Sequence, residues 1–398
     1  MAKPLSGLRV LDLTRVLSGP YATMVLGDLG AEIIKVEIPG KGDDSRDYGP
    51  FLAGESAYFM SINRNKKSIV LNLKRAGGRE ILLRLSEQSD ILVENFRPGT
   101  MDKLGLGYSV LSARNRRLVY AACSGFGSTG PFAQKPAYDI IVQGMGGIMS
   151  VTGHPDGPPT RVGVSIGDIV AGLFTVIAIQ AAVQERDHSG LGQFIDVSML
   201  DCQLAILENA IARYTITGEV PGRLGNRHPT ITPFTSLETE DGSVIVGAGN
   251  DTLFKKLCDA IGRPDMANDP AFETNAARTT VWETALKPVL EAVFRTRTTA
   301  HWLEKLEALG IPCGPINTID KVLSNPQVTS RGMLVELEHA VAGKHVVAGP
   351  PFKMSRTPPS AGTAAPVLGE HTEEVLREVL GFDTSDIERY KKEGCFEP

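Results

Sequence analysis

The chain has 398 residues, 42% of them hydrophobic and 22% charged, with a formal net charge of −5. That is the balance of a globular protein, long enough for about two domains at the usual 100–200 residues each. Acidic and basic residues alternate along most segments and no basic patch dominates, which argues against a nucleic-acid partner, so any anionic ligand must be held by local groups.

From the N-terminus, short β-branched runs alternate with helical patterns, the signature of a parallel sheet with crossover helices. The spacing predicts strands at Leu8–Thr14, Glu32–Ile38, Ser68–Leu73, Ile91–Glu94 and Leu118–Cys123, with helices at Pro20–Leu29 and Gly77–Gln88. A Gly-rich stretch, Gly144–Met149, precedes a long apolar helix starting near Asp168. A strand at Gln193–Val197 then leads into a helix over Met199–Thr215. The longest apolar run, Ile169–Val183, falls short of the ~20 residues of a bilayer span and is interrupted by Thr175 and Gln180, so a buried helix is expected rather than a membrane segment. The opening MAKPLSGLRVLDL has neither the apolar run nor the cleavage site of a secretory signal, which makes cytoplasm the expected compartment.

The composition changes at Pro221–Pro233, a Gly-, Pro- and Asn-rich linker. Beyond it, Phe234–Glu238, the Asp241-Gly242 turn and Val244–Val246 read as a hairpin. Helical patterns follow at Thr252–Ile261, Glu283–Phe294 and Ala300–Leu309. From about Gly332 come another apolar strand, a Pro-rich crossing at Gly349–Pro366 and a helix at Thr372–Leu380, a tail expected to return to the first domain. The expected organisation is a large domain of residues 1–220 completed by 330–398, with a small α+β domain over 221–329.

Five scattered cysteines without a CxxC pair suggest neither a disulfide framework nor a zinc site, and seven histidines without HxH or HExxH spacing suggest no other metal. There is no GxxxxGK[ST] phosphate loop. Gly247-Ala248-Gly249 lacks the third glycine of a dinucleotide fingerprint, and Ala122 stands where a serine nucleophile elbow needs glycine. What remains is Arg161–Gly167 followed by Asp168 and an uncharged helix. A carboxylate at a helix start meets unpaired N–H groups and a positive dipole end, so it is expected to stay ionised beside donors that an oxyanion could share. The alternative is that Asp168 serves only as the N-cap.

The run Leu8-Arg9-Val10-Leu11-Asp12-Leu13-Thr14-Arg15-Val16-Leu17-Ser18-Gly19-Pro20 resembles the class III coenzyme A transferases. So do Lys35-Val36-Glu37 with Gly42-Asp43 and Arg46, and Glu94-Asn95-Phe96-Arg97-Pro98-Gly99. Tyr138-Asp139, Gly167-Asp168 and Gly192-Gln193-Phe194-Ile195-Asp196-Val197 extend the likeness over essentially the whole chain. Within this family, which includes the formyl-CoA and carnitine CoA-transferases, Asn63-Arg64-Asn65-Lys66-Lys67-Ser68 and Val246-Gly247-Ala248-Gly249-Asn250 look most like the succinate–hydroxymethylglutarate type.

The resemblance implies an α/β fold in which a Rossmann-like large domain is built from both chain ends, a small α+β domain lies between, and two chains interlock as a homodimer. It implies a coenzyme A thioester and a carboxylic acid as substrates, with no tightly bound cofactor and no metal, and Asp168 as nucleophile. By position, Arg15, Val16 and Leu17 match pantetheine contacts. Leu71, Asn95 and Phe96 match residues near adenine and ribose, and Arg97 and Lys103 are candidates for the phosphates. Gly247 and Gly249 match a glycine loop that closes over the aspartate. Two departures stand out. Ile38 occupies the place of a nucleotide-contacting arginine, with Lys41 as the candidate replacement. Arg15 occupies that of a histidine, and its guanidinium suits the distal carboxylate of a dicarboxylic acid. Tyr138 matches the histidine that the related racemases use; with an ordinary pKa near 10 it is a poor acid–base partner at neutral pH.

Overall fold

A computed structural model describes residues 3–397. Six strands form one sheet: β1 (Arg9–Asp12), β2 (Glu32–Glu37), β3 (Lys66–Val70), β4 (Ile91–Glu94), β5 (Val119–Ser124) and β6 (Phe194–Ser198). Their order is β3-β2-β1-β4-β5-β6, and every neighbouring pair is parallel. This is the doubly wound dinucleotide-fold order, in which the chain reverses direction across the sheet between β1 and β4 and opens a crevice beyond the carboxyl ends of the strands.

Parallel strands covered on both faces should be apolar without interruption. Ile91, Leu92 and Val93 are all fully buried. Alternate residues feed opposite cores. Leu11, Ile34 and Leu92 join α2 (Ala76–Glu87) on one face. Val10, Ile33, Ile91 and Val93 meet α1 (Ser18–Asp28) on the other. Two further helices of this unit bear on the site, α3 (Asp139–Met145) and α4 (Ile166–Ser189).

At 24 residues α4 extends beyond the expected Ile169–Val183 run, and by length and composition alone it could cross a membrane. One side of it is core: Val176, Ile179 and Ala182 pack under the sheet. Gly172 lets α4 approach α1 so closely that an added Cβ would lie 2.7 Å from the Ser18 carbonyl oxygen. Arg186, 2% exposed, reaches Asp90 at 3.2 Å.

The chain divides into two compact units, one running to Ile148 and then through Arg161–Thr215 and everything from Pro326 onward. The tail adds α5 (Thr372–Leu380) and α6 (Thr384–Lys392), whose Val375, Leu376, Ile387 and Tyr390 complete the α2-side core. Its backbone also bonds to the sheet edge, with Asn72 N–H donating to the Cys395 carbonyl at 2.7 Å and His371 N–H to the Ser68 carbonyl at 2.9 Å. The apolar strand expected near Gly332 is a separate hairpin, Leu334–His339 with Gly343–Ala348, paired only with itself.

The second unit, Met149–Thr160 with Ile216–Asn325, holds an antiparallel sheet of Phe234–Glu238, Ser243–Gly247 and Cys313–Pro315. Its core gathers Phe254, Trp282, Phe294 and Trp302. Met149–Thr160 belongs here because Gly225 N–H donates to the Gly153 carbonyl at 2.9 Å and Arg223 to that of His154 at 3.2 Å. The helix expected over Met199–Thr215 is broken into Met199–Ala205 and Glu208–Thr217.

Candidate active site

The turn from β1 to α1 is built on buried charge. Asp12 is fully buried and accepts from Thr23 at 2.7 Å, with the Lys66 ammonium at 3.1 Å. Lys66 also donates to the Pro20 carbonyl and to Asn63, at 3.0 and 2.9 Å. Beside it Lys35 pairs with Asp43 at 2.8 Å and donates to the Thr14 carbonyl at 2.7 Å. Burial alone would raise the Asp43 carboxyl, but Lys35 overrides it and holds the group well below the usual carboxylate range. Arg46 grips Glu37, and Arg64 grips Asp28, each at 2.7 Å. Most of the polar signature residues therefore hold one another: they are a buried scaffold, satisfied internally.

What the scaffold holds is a strained turn. Val16 has φ = 66°, a region that a β-branched residue enters only when its surroundings force it. Asp43 accepts the Val16 N–H at 3.0 Å. Asn95, just past β4, clamps the preceding residue from both sides, accepting the Arg15 N–H at 2.9 Å and donating to the Arg15 carbonyl at 2.8 Å. Strand ends on both sides of the β1/β4 switch point thus converge on Arg15–Leu17.

Asp168 lies in the first turn of α4, but Ser165 is the N-cap residue and Asp168 is the third helical position, so capping is not its role. The free N–H of Gly167 is taken by Asp139, at the start of α3, at 2.9 Å. Asp139 also accepts from Gln143 at 2.8 Å and from Arg161 at 3.2 Å. Gly167 is required here, since an added Cβ would come within 2.7 Å of Val142 Cγ2. The Gly167 donor at the helix end is therefore already committed. The groups facing the Asp168 carboxyl are the Ser18 hydroxyl and N–H.

Asp168 does not keep the low pKa expected from its helix position. Burial, reinforced by the like charge of Asp139, pushes its pKa up to about 7, and the Ser18 bonds only partly oppose this. Glu94 is likewise pushed up to about 7 by burial. It lines a different cavity, walled by Tyr108, Tyr120 and Phe194.

Arg15, Val16, Leu17, Asn95, Phe96, Arg97, Tyr138 and Asp168 all line one cleft. Its enclosed volume, about 140 Å³, is well below the roughly 300–1,000 Å³ of pockets that engulf a drug-sized ligand, so it has room for the reacting end of a long molecule only. Leu71 and Lys103 stand apart from it. Leu71 is 1% exposed and belongs to the α2-side core, because its side chain faces inward from the end of β3. Lys103 is exposed at the end of a short helical turn, Thr100–Lys103. Gly247 and Gly249 belong to the second unit, in a turn tied down along its backbone. Gly247 N–H donates to the Pro312 carbonyl and Ala248 N–H to that of Pro233, both at 2.8 Å, and Arg278 donates to the Gly249 carbonyl at 2.9 Å. An added Cβ on Gly249 would meet Ile231 at 1.9 Å. Lys41 sits on Asp44 at 2.6 Å, and Ile38 is 54% exposed. Sequence reading passed over Ser18, Asp44 and Lys135, which also line the cleft. Ser18 lay within a quoted motif, whereas Lys135 is in a loop with no periodic signal.

The model of CoA-transferase family III matches residues 5–372. An acetyl-CoA:oxalate CoA-transferase from Acetobacter aceti is 47% identical over 369 residues, 92% of this chain and 93% of that protein. A succinyl-CoA:glutarate CoA-transferase from Mus musculus is 42% identical over 396 residues, 99% of this chain and 91% of that one. Among solved structures, a CAIB/BAIF family protein from Brucella suis superposes with a TM-score of 0.84 at 39% identity, covering 95% of this chain and 100% of that one. A fold with its crevice at the β1/β4 switch point, a buried carboxyl in that crevice and a family match over nearly its whole length agree: this chain belongs to CoA-transferase family III.

Proposed function

We propose that this enzyme moves coenzyme A from a dicarboxylyl-CoA, with succinyl-CoA the first choice, to a carboxylic acid acceptor, and that Asp168 carries the acyl group and then the CoA. The observation that carries this reading is the Asp168 carboxyl, pushed up in pKa, in a small cleft at the switch point. Relatives that act on succinyl-CoA with glutarate or on acetyl-CoA with oxalate support the substrate class, oxalate being the second choice of acceptor.

Four steps balance the reaction. The Asp168 carboxylate attacks the donor thioester carbon, the C–S bond breaks, and CoA thiolate leaves a mixed anhydride. The thiolate attacks the aspartyl carbonyl, releasing the donor acid and leaving an aspartyl-CoA thioester. The acceptor carboxylate attacks that thioester, forming a second anhydride and freeing thiolate. Thiolate attack on the acceptor acyl carbon yields the new acyl-CoA and restores Asp168. The raised pKa suits this task, since a less stabilised carboxylate is the stronger nucleophile, and the Ser18 hydroxyl and N–H hold it in place. Tyr138, 68% exposed, stands where the related racemases have a histidine, which favours transfer over racemisation.

Incubation with succinyl-CoA should leave a hydroxylamine-sensitive adduct on the peptide containing Asp168, and Asp168→Asn should lose transfer by several orders of magnitude. An adduct elsewhere, or turnover by the variant, refutes the assignment. Rapid deuterium exchange at the α-carbon of a 2-methylacyl-CoA, without transfer to any acid, would make the protein an isomerase instead.

The same reading extends to an interlocked homodimer. Ile140, Ile141, Met145, Leu173, Phe174, Ile177, Leu204 and Ile211 are all more than one-third exposed on helices of the large unit. So much apolar surface on neighbouring helices is what a subunit interface covers.

A further inference from the structure

We propose that Asp44 is a placeholder for the distal carboxylate of a dicarboxylic substrate, and that Arg15 exchanges one for the other on binding. The inference rests on the transfer reading above and names the residues that select its substrate class. Arg15 and Asp44 both line the cleft that holds Asp168. The Arg15 guanidinium donates to Asp44 Oδ2 at 3.0 Å and lies 5.9 Å from the centre of the Phe96 ring. Its side chain is 52% exposed, so the pair is solvated and weak.

Two features make the exchange inexpensive. Asp44 has a second cation, Lys41, on its other oxygen at 2.6 Å, so losing Arg15 does not leave it unpaired. The Arg15 backbone is fixed by the Asn95 clamp and by the strained Val16 that follows, so only the side chain has to move. A planar guanidinium can take an incoming carboxylate through two parallel N–H donors, where Asp44 uses only one of its oxygens. A monocarboxylic acid offers nothing to exchange, and Arg15 then stays on Asp44.

The test compares glutarate with pentanoate, its analogue without the second carboxylate, as acceptors from a fixed donor. In a ping-pong scheme kcat/KM for the acceptor reports the acceptor half-reaction alone. Arg15→Gln should lower the glutarate-to-pentanoate ratio of kcat/KM by about tenfold, the size of one lost charged hydrogen-bonding contact. Asp44→Asn, which removes the competing charge, should raise the ratio, and should leave it unmoved in the Arg15→Gln background. A ratio unchanged by Arg15→Gln, or equal losses for both acids, overturns the proposal while leaving the transferase reading intact. A fall in the ratio with Asp44→Asn overturns the placeholder role. Absence of transfer to any acid by the native enzyme would instead count against the reading on which the inference rests.

Discussion

Asp168 sits where its own ionisation is opposed, by burial first and by Asp139 second. Its folded pKa of about 7 lies above the ordinary 3.8, so the folded state holds that proton more tightly than the unfolded chain does. The resulting stabilisation is complete below about pH 4 and is lost as the pH rises through about 7. Asp168→Asn removes that loss, and the variant should be more stable than the native enzyme at pH 8 by about 1–3 kcal/mol, allowing for partial exposure, as thermal unfolding would reveal. Equal stability at pH 8 would mean that the carboxyl is not strained. Activity runs the opposite way, because attack needs the ionised form: kcat/KM should rise with pH and level off above an apparent pKa near 7. Asp139→Asn keeps an acceptor for the Gly167 N–H and removes the like charge, so it should move that pKa downward; a pH–rate profile left in place would remove Asp139 from the account.

At the scale of elements, the site depends on how closely α1 and α4 approach and on what holds the β1–α1 turn. Gly172→Ala would put a methyl group 2.7 Å from the Ser18 carbonyl oxygen, and the helices must part. The expected cost is about 1–3 kcal/mol of stability, as for other overpacked sites, together with loss of transfer as Ser18 leaves Asp168. Lys66→Met strips the buried Asp12 of its nearest cation, a class of change that costs about 3–5 kcal/mol. Chemical denaturation measures it, and a change below about 1 kcal/mol would show that Asp12 is held by Thr23, by Lys35 and by the Thr14 N–H, which it accepts at 2.9 Å, alone.

For the whole molecule, the large unit is completed by a segment that returns after the entire second unit has been made. The α5–α6 segment supplies Val375, Leu376, Phe382, Ile387, Tyr390 and Cys395 to the α2-side core. Truncation after Pro366 should therefore yield insoluble or unfolded protein, judged by soluble yield and circular dichroism, whereas a dispensable tail would leave both unchanged. For the proposed dimer, light scattering at micromolar concentration should give twice the chain mass, with dissociation only on unfolding. A folded monomer would refute interlocking.

Sequence by itself determined the parallel sheet, because buried strands and amphipathic helices write their periods into local patterns, and it marked Asp168 and the turn around Arg15 through residues adjacent in the chain. It did not reach α3, with its Gly-rich end, or α6, although Asp383 and Asp386 form a capping box there that marks the start. Tertiary structure decided what those residues do. Lys35, Glu37, Asp43, Arg46 and Lys66 turned inward because a buried charge needs a partner: Lys35 and Glu37 on β2 meet Asp43 and Arg46 from the segment that follows it, and Lys66 on β3 meets Asp12 on β1. The state of Asp168 was decided the same way. Its helix position alone predicts an ionised carboxylate, but Asp139 takes the Gly167 N–H and adds its own charge, and desolvation in the folded crevice outweighs what the Ser18 donors return.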